Sequence, residues 1–457
     1  MDEADFPVVV GEVYPLISSY SVMKSTTLLS LIACIVIILS ACANETPSVD
    51  RDVIAYTGAT MINGLDRPAI ENSVLIVENG MLTEAGARDQ IDIPAIAEVV
   101  DLTDSYVMPG IINAHGHVGM ADGLETGEDV FTSENIRRQL LTYAQYGVTT
   151  VVSLGDGQTE GARIRDEMLF DQNINIARYY LAGPVISADT PEEGREEVQR
   201  LHEAGMDWIK IRIDSGLGTR EKMQPEVYRA IAEEAARLEI PSAAHIVELE
   251  DAIGAIEAGF DLIAHSIRDQ EVSDELINLM RDNAIPITPT LTREVSTYIY
   301  RDRPDFFDDP FFLRTADPQV LEQLESPESQ QRFAESEAGA YFEQQLPLAM
   351  ENMMKLYDAG VIVAMGTDSG PPARFQGYFE HMEMEMMQDA GMTPHAVIMA
   401  STSLAAVAMG LDHLTGSLQA GLAADFIVLS EDPTEDIRNL RSIKAVYVMG
   451  NEVRMPE

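Results

Sequence analysis

The chain has 457 residues, 46% of them apolar and 31 of them glycine, enough to bury a large core in roughly one to three domains. A formal net charge of -46 leaves no basic patch to neutralise phosphate, which argues against nucleic acid and anionic lipid headgroups as partners. Cys34 and Cys42 are the only cysteines and both lie in the N-terminal apolar run. The folded part therefore has neither disulfides nor thiolate ligands, and any metal must be held by nitrogen and oxygen. The acid excess suits solubility, as in a saline habitat where salt screens self-repulsion, or else it draws in cationic substrates.

Met23 and Lys24, followed by apolar residues from Leu28 to Leu39, read as a positive segment and a hydrophobic core too short to span a bilayer. The run closes on Leu39, Ser40, Ala41 and Cys42, which resembles the lipobox of a bacterial lipoprotein signal. The resemblance implies acylation at Cys42 and a lipid-anchored place in the cell envelope. Because Ala43 rather than aspartate follows, it also implies the periplasmic face of the outer membrane if the cell is Gram-negative. Cys34 has too little apolar core before it, and a simple cleaved signal or a retained anchor is the plainer alternative. Residues 1–42 are thus an N-terminal extension and signal, with 1–22 preceding a start at Met23, and the polar residues 43–51 read as a tether.

Strand-like alternation appears in residues 53–62 and in 73–82, the latter with an Asn79-Gly80 hairpin turn. A matching pair, 424–430 and 443–454, closes the chain. Both ends are expected to form one small flanking β-sandwich domain, residues 52–107 and 417–457. Between them, apolar strand-like runs near 110–114, 148–154, 178–186, 208–214, 241–246, 261–266, 285–291 and 361–367 alternate with helical ones. That is the pattern of an α/β fold, a (β/α)8 TIM barrel over residues 108–416. An acidic, aromatic insertion at 292–343, broken by Pro304, Pro310, Pro318 and Pro327, is either a lid or a passive surface excursion.

The chemistry gathers at strand ends. His115 and His117 are separated by Gly116, and alternate residues of a strand share a face, so both imidazoles can reach one ion while the glycine leaves room for its approach. Three further runs end in His245, His265 and Asp368, and a fourth carries Lys210 at its centre. Each piece is weak alone, but four imidazoles, one carboxylate and one lysine near the C-terminal ends of separate strands match a barrel whose reaction sits at one rim. With only five lysines in the chain, one inside an apolar strand is not surface dressing, although an ion pair with Asp214 is its plainer reading. His202, His395 and His413 read as solvated or packed; His381, on a helix after the eighth strand, can reach the rim.

The residues 109–117, 208–211, 244–245, 264–266, 366–368 and 416–429 occur in the order of the amidohydrolase superfamily, which the chain resembles from about 53 to 454. The nearest branch is that of imidazolonepropionase-like and metal-dependent dipeptidase or carboxypeptidase enzymes, which includes ochratoxin-hydrolysing amidases. The resemblance implies two divalent cations, zinc, one bound by His115, His117 and Asp368 and the other by His245 and His265. Lys210, carboxylated by carbon dioxide, would bridge them; without that reaction a single metal remains. Two cations sharing a water lower its pKa, and Asp368 has the position of the catalytic general base. The implied activity is hydrolysis of a C-N bond, amide or peptide-like.

Arg212 lies two residues beyond Lys210 on the same strand face, so it is expected to point into the barrel mouth and clamp a substrate carboxylate. Arg293 and Tyr298, after the seventh strand, are further substrate-binding candidates, whereas Arg374 reads as a rim salt bridge. These suggest a small carboxylate-bearing amide such as a dipeptide or an N-acyl amino acid. Three alternatives remain. His245 and Glu248 resemble the His-x-x-Glu of mononuclear deaminases of nitrogen heterocycles, although Glu248 also suits the first turn of a helix. The same hydroxide would attack lactones or phosphoesters. A non-catalytic binding lipoprotein, or a homo-oligomer of any of these, is also compatible with the sequence.

Overall fold

Residues 53–155, 159–169, 171 and 173–456 are described by the computed structural model. The signal, Cys42 and the tether 43–51 lie outside the described residues.

The alternating run Val53–Thr57 pairs antiparallel with Ser73–Glu78 and parallel with Glu98–Asp101, while Met81–Ala87 folds back on Ser73–Glu78 to complete a four-stranded sheet. The hairpin turn falls at Asn79 (φ 54°) and Gly80 (φ 79°), the two positive φ values that an Asn-Gly turn supplies. A five-stranded sheet runs Asn451–Glu452, Ile443–Val448, Phe426–Leu429, Tyr106–Pro109, Thr60–Met61, so both chain ends contribute to it. Tyr56, Leu75 and Leu82 of the first sheet share one apolar cluster with Val107, Phe426 and Tyr447 of the second, where Phe426 and Tyr447 stack at 4.4 Å.

The central runs form two parallel sheets. One orders Arg178–Leu181, Val148–Ser153 and Ile111–Gly116; the other orders Ile209–Arg212, Ser242–His245, Leu262–Ala264 and Ile287–Thr288. Val148–Ser153 is buried at every position, and its β-branched valines and threonines suit a strand packed on both faces. Helices such as Ser133–Gln145, Pro191–Glu203 and Pro225–Arg237 alternate with them, the second opened by a Thr190–Glu193 capping box. The third expected strand stops at Leu181, short of 186, because Gly183 turns the chain at φ 72°. The eighth expected strand, 361–367, forms no regular strand: Val363 bridges Ile287, Ser369 bridges Gly116, and between them Asp368 adopts φ 58°.

The prolines of the insertion start helices rather than break them. Pro310, Pro318 and Pro327 open Pro310–Leu313, Pro318–Leu324 and Pro327–Ala334, capped by Asp309, Asp317 and Ser326. The segment also has no boundary at residue 343, which lies inside the long helix Glu337–Asp358. Tyr300, Phe306, Phe307 and Phe312 pack with Tyr146, Tyr378 and Phe379 in one aromatic cluster, and the Tyr300 hydroxyl donates to the Ala373 carbonyl at 2.6 Å. The insertion is thereby seated on the loop that follows Asp368.

Candidate active site

His115 leaves the end of Ile111–Gly116, with its backbone N-H donating to Asn113 Oδ1 at 3.0 Å, and His117 follows beyond the strand. A side chain at Gly116 would meet Asn113 Nδ2 at 2.8 Å and the Tyr143 hydroxyl at 2.9 Å. Glycine is thus required by the packing behind the two imidazoles, not by room for an ion in front of them. Opposite, the Asp368 N-H donates to the His115 carbonyl at 2.6 Å, and the left-handed backbone turns its carboxylate toward the rings. Asp368 Oδ1 lies 2.6 Å from His117 Nε2 and 3.6 Å from His115 Nε2, and the ligand atoms of the three residues lie within 4.8 Å of one another.

The other expected ligands adjoin this cluster. Lys210 Nζ lies 3.3 Å from His115 Nε2. The His265 ring stands 4.7 Å from that of His115 and 4.0 Å from that of His245. Threonine hydroxyls hold two of the rings from behind: Thr288 Oγ1 is 3.3 Å from His115 Nδ1, and Thr290 Oγ1 is 2.7 Å from His265 Nδ1. Asp214 is not the partner of Lys210; its Oδ2 lies 3.1 Å from His245 Nε2.

Burial dominates the electrostatics. It holds His115 and His265 well below the usual imidazole range, and it lowers His245 to about 3 even though the Asp214 hydrogen bond opposes the shift. It also brings Lys210 down to about 7 against the pull of Asp368. Burial raises the Asp368 carboxyl, but Arg374 and His117 outweigh it and keep the group well below the usual range. Neutral imidazoles beside an ionised carboxylate and a partly neutral amine are the nitrogen and oxygen donor set that fits a divalent cation.

Two arginines approach Asp368 from the outer side. Arg374 Nη1 reaches Asp368 Oδ2 at 2.5 Å, so the expected salt bridge forms, and it forms on a carboxylate of the site itself. Arg293 Nε stands 3.9 Å from the same oxygen, its Nη1 pairs with Glu294 Oε2 at 2.8 Å, and its guanidinium lies 4.4 Å from the Phe342 ring centre. Glu294 Oε1 in turn pairs with Arg268 Nε at 2.9 Å, both side chains being fully buried.

Of the expected substrate contacts, one is overturned, that of His381. Arg212 is held by Asp214, its Nε and Nη2 bonding the two carboxylate oxygens at 2.7 and 3.0 Å, and that carboxylate in turn contacts His245. His381 does not reach the rim; it is buried, with Nε2 bonded to the Tyr146 carbonyl at 2.8 Å and its ring 4.8 Å from Phe311. Tyr298 is half-buried, its ring 5.7 Å from the Arg301 guanidinium. Glu248 stands at the N-cap position of the helix Leu249–Ala258 without a capping bond, and its side chain accepts from Lys222 Nζ at 2.7 Å, an alternative to proton transfer on a ring.

Asn113, Thr288, Thr290, Arg268, Glu294, Glu380 and Glu383 escaped the sequence reading. The last two carried a usable signal: carboxylates three apart within the apolar helical run that includes Phe379, Met384 and Met387.

A parallel α/β scaffold that gathers imidazoles, a lysine and an aspartate in one place defines a site able to hold a metal ion. The Amidohydrolase family model matches residues 106–453, and the chain belongs to that family. It is 27% identical over 453 residues to the ochratoxinase of Aspergillus niger, covering 87% of this chain and 86% of the relative. A 5-methylthioadenosine/S-adenosylhomocysteine deaminase from Carboxydothermus hydrogenoformans is 23% identical, with 84% and 86% covered. The crystal structure of a proposed prolidase from Bifidobacterium longum superposes with a TM-score of 0.71 at 26% identity, covering 89% of this chain and 95% of that one. The protein is a hydrolase acting on carbon-nitrogen bonds.

Proposed function

We propose that this protein hydrolyses the amide bond of a small, carboxylate-bearing substrate such as a dipeptide or an N-acyl amino acid. The observation that carries the reading is the convergence of His115, His117 and Asp368 within 4.8 Å, with the buried Lys210 amine 3.3 Å from His115. His115, His117 and Asp368 would hold one zinc ion, His245 and His265 a second, and Lys210, carboxylated by carbon dioxide, would join them. When bound, such cations polarise a carbonyl and make water more acidic.

The chain's own groups do the rest. Asp368 accepts a proton from the attacking water and returns it to the leaving nitrogen. Arg374 keeps that carboxylate ionised and aimed. Arg293 Nε is buried with no hydrogen-bond partner among the described residues, so it is a donor free for a substrate carboxylate beside the reacting atoms. The Lys222 contact commits Glu248 to its helix and weighs against the deaminase reading.

The isolated bridges Ile186–Ile211, Ile287–Val363 and Gly116–Ser369 support one closed eight-stranded barrel over residues 108–416. The shared apolar cluster supports a small β-sandwich of residues 52–107 and 417–457. Lipid anchoring at Cys42, with an envelope location, completes the proposal on the lipobox alone.

Metal analysis of purified protein lacking residues 1–42, with a screen of N-acyl amino acids, dipeptides, lactones, phosphoesters and purines, tests it. About two equivalents of zinc and amine release from the amides are expected. Ammonia release from a heterocycle, exclusive lactone or phosphoester turnover, or no bound metal would each overturn it.

A further inference from the structure

The helix Tyr378–Ala390 carries two fully buried carboxylates one turn apart, Glu380 and Glu383, and neither touches solvent or a basic side chain. Glu380 Oε1 accepts from Asn113 Nδ2 at 2.6 Å, Thr367 Oγ1 at 2.7 Å and Ser369 Oγ at 2.6 Å, while its Oε2 accepts from the Gly377 N-H at 2.6 Å. Thr367 and Ser369 flank Asp368, and Asn113 is the residue whose Oδ1 receives the His115 N-H. One carboxylate therefore ties the strand bearing His115 to the left-handed turn bearing Asp368.

Glu383 does the same on the other side. Its oxygens accept from the Leu291 N-H, the Thr292 N-H and Thr292 Oγ1, each at 2.7 Å. This fixes the start of the short helix Leu291–Val295, whose preceding residue, Thr290 (φ 52°), holds His265 through its hydroxyl and whose third residue is Arg293. The two networks meet where Thr292 Oγ1 lies 3.3 Å from the Thr367 carbonyl.

We infer that Glu380 and Glu383 are positioning residues that set the His115–Asp368 and His265 halves of the ligand cluster in register from a single helix. Each acts through hydrogen-bonded neighbours rather than by touching the reacting atoms, the way outer groups orient metal ligands. The inference rests on the metal reading above. On the same helix, Glu385 provides an internal control: it pairs with Arg441 at 2.7 Å (Nε to Oε1) and 2.9 Å (Nη2 to Oε2), and neither it nor Arg441 bonds the cluster.

The test compares Glu380→Gln, Glu383→Gln and Glu385→Gln in the zinc-loaded enzyme by chelator competition and thermal unfolding, with imidazole nitrogen NMR shifts of the metal-free protein. The first two are expected to weaken zinc binding by about 10- to 100-fold, Glu380→Gln moving the His115 resonances and Glu383→Gln those of His265. Glu385→Gln should lower Tm with zinc affinity unchanged. Ser369→Ala and Thr292→Val, which each remove one hydroxyl, give smaller changes in the same resonances if the glutamine variants do not fold. Unchanged affinity and unchanged imidazole shifts in folded Glu380→Gln and Glu383→Gln would overturn the inference. Absence of zinc from the parent protein would instead remove the metal reading, and the metal-free shifts would still decide whether the two carboxylates orient the rings.

Discussion

Lys210 Nζ stands 3.3 Å from His115 Nε2 in a place only 2% exposed to solvent, where burial brings the amine down to about 7. A neutral amine is the nucleophile toward carbon dioxide, and its carbamate would be an anionic oxygen ligand. Lys210→Ala should bind about one zinc where the parent binds two and lose activity by at least about 100-fold, the upper end of what losing a group that merely orients a ligand costs. Added short carboxylates should restore part of it, because they offer the oxygens the carbamate supplied. The mass of the parent, measured under native conditions with bicarbonate, should exceed the sequence mass by one carbon dioxide. A variant that retains full metal content and turnover would refute this role.

Arg293 is placed to distinguish substrates by charge. Its Nη1 is committed to Glu294, but the unpartnered Nε lies 3.9 Å from Asp368 Oδ2, on the side a substrate carboxylate would occupy. Arg293→Ala should raise KM for an N-acyl amino acid by about 10- to 100-fold, the effect of losing a charge-assisted contact of 1.5–3 kcal/mol. The corresponding amide, with no carboxylate, should be far less affected. Equal losses on both substrates would show that Arg293 shapes the site without reading charge.

Glu294 lies between Arg268 and Arg293 with no exposed surface, and Arg268 otherwise bonds the carbonyls of Ile246 and Ser266 and lies 5.2 Å from the Phe342 ring centre. Removing the shared carboxylate leaves two buried guanidiniums facing each other. Glu294→Gln should therefore destabilise the fold by about 3–5 kcal/mol, read as a fall in the urea midpoint. Adding Arg268→Met should recover part of the loss, because it removes the stranded charge. A single variant within about 1 kcal/mol of the parent would mean that relaxation or water hydrates the pair.

What the sequence revealed and what it hid follow from the same physics. Strands buried on both faces draw on β-branched and aliphatic residues, so Ile111–Gly116 and Val148–Ser153 were legible, and with them the ligands at the strand ends. The run 361–367 reads the same way yet forms no regular strand, and no periodicity reports that Asp368, just past it, leaves the extended region to aim its carboxylate. For Arg212 a shared strand face sets only where the side chain starts; the carboxylate of Asp214, past the strand, decides where its charged end lies. Prolines in the insertion read as breaks although a preceding Asp or Ser makes them helix starts. Glu380 and Glu383 escaped the sequence reading, since only the fold brings Asn113, Thr292 and Thr367 to them.

Glu383 also leaves a signature in the pH dependence of stability. Burial raises its carboxyl from 4.5 to about 7, against the hydrogen bonds from Thr292 and Leu291 and with help from the neighbouring Glu380. Between those values the folded protein retains a proton that the unfolded chain has lost, so stability falls as pH rises from about 4.5 and levels off above about 7. The full span corresponds to a free energy on the order of 3 kcal/mol. Glu383→Gln cannot ionise, so in chelator-treated protein its own stability should lack this slope. The parent's advantage over Glu383→Gln, taken from urea unfolding at pH 5, 6, 7 and 8, should shrink steadily and by on the order of 2–3 kcal/mol across the series. A gap that stays constant would place the Glu383 carboxyl in its ordinary range, ionised throughout and stabilised by the N-terminus of Leu291–Val295 as strongly as burial opposes it.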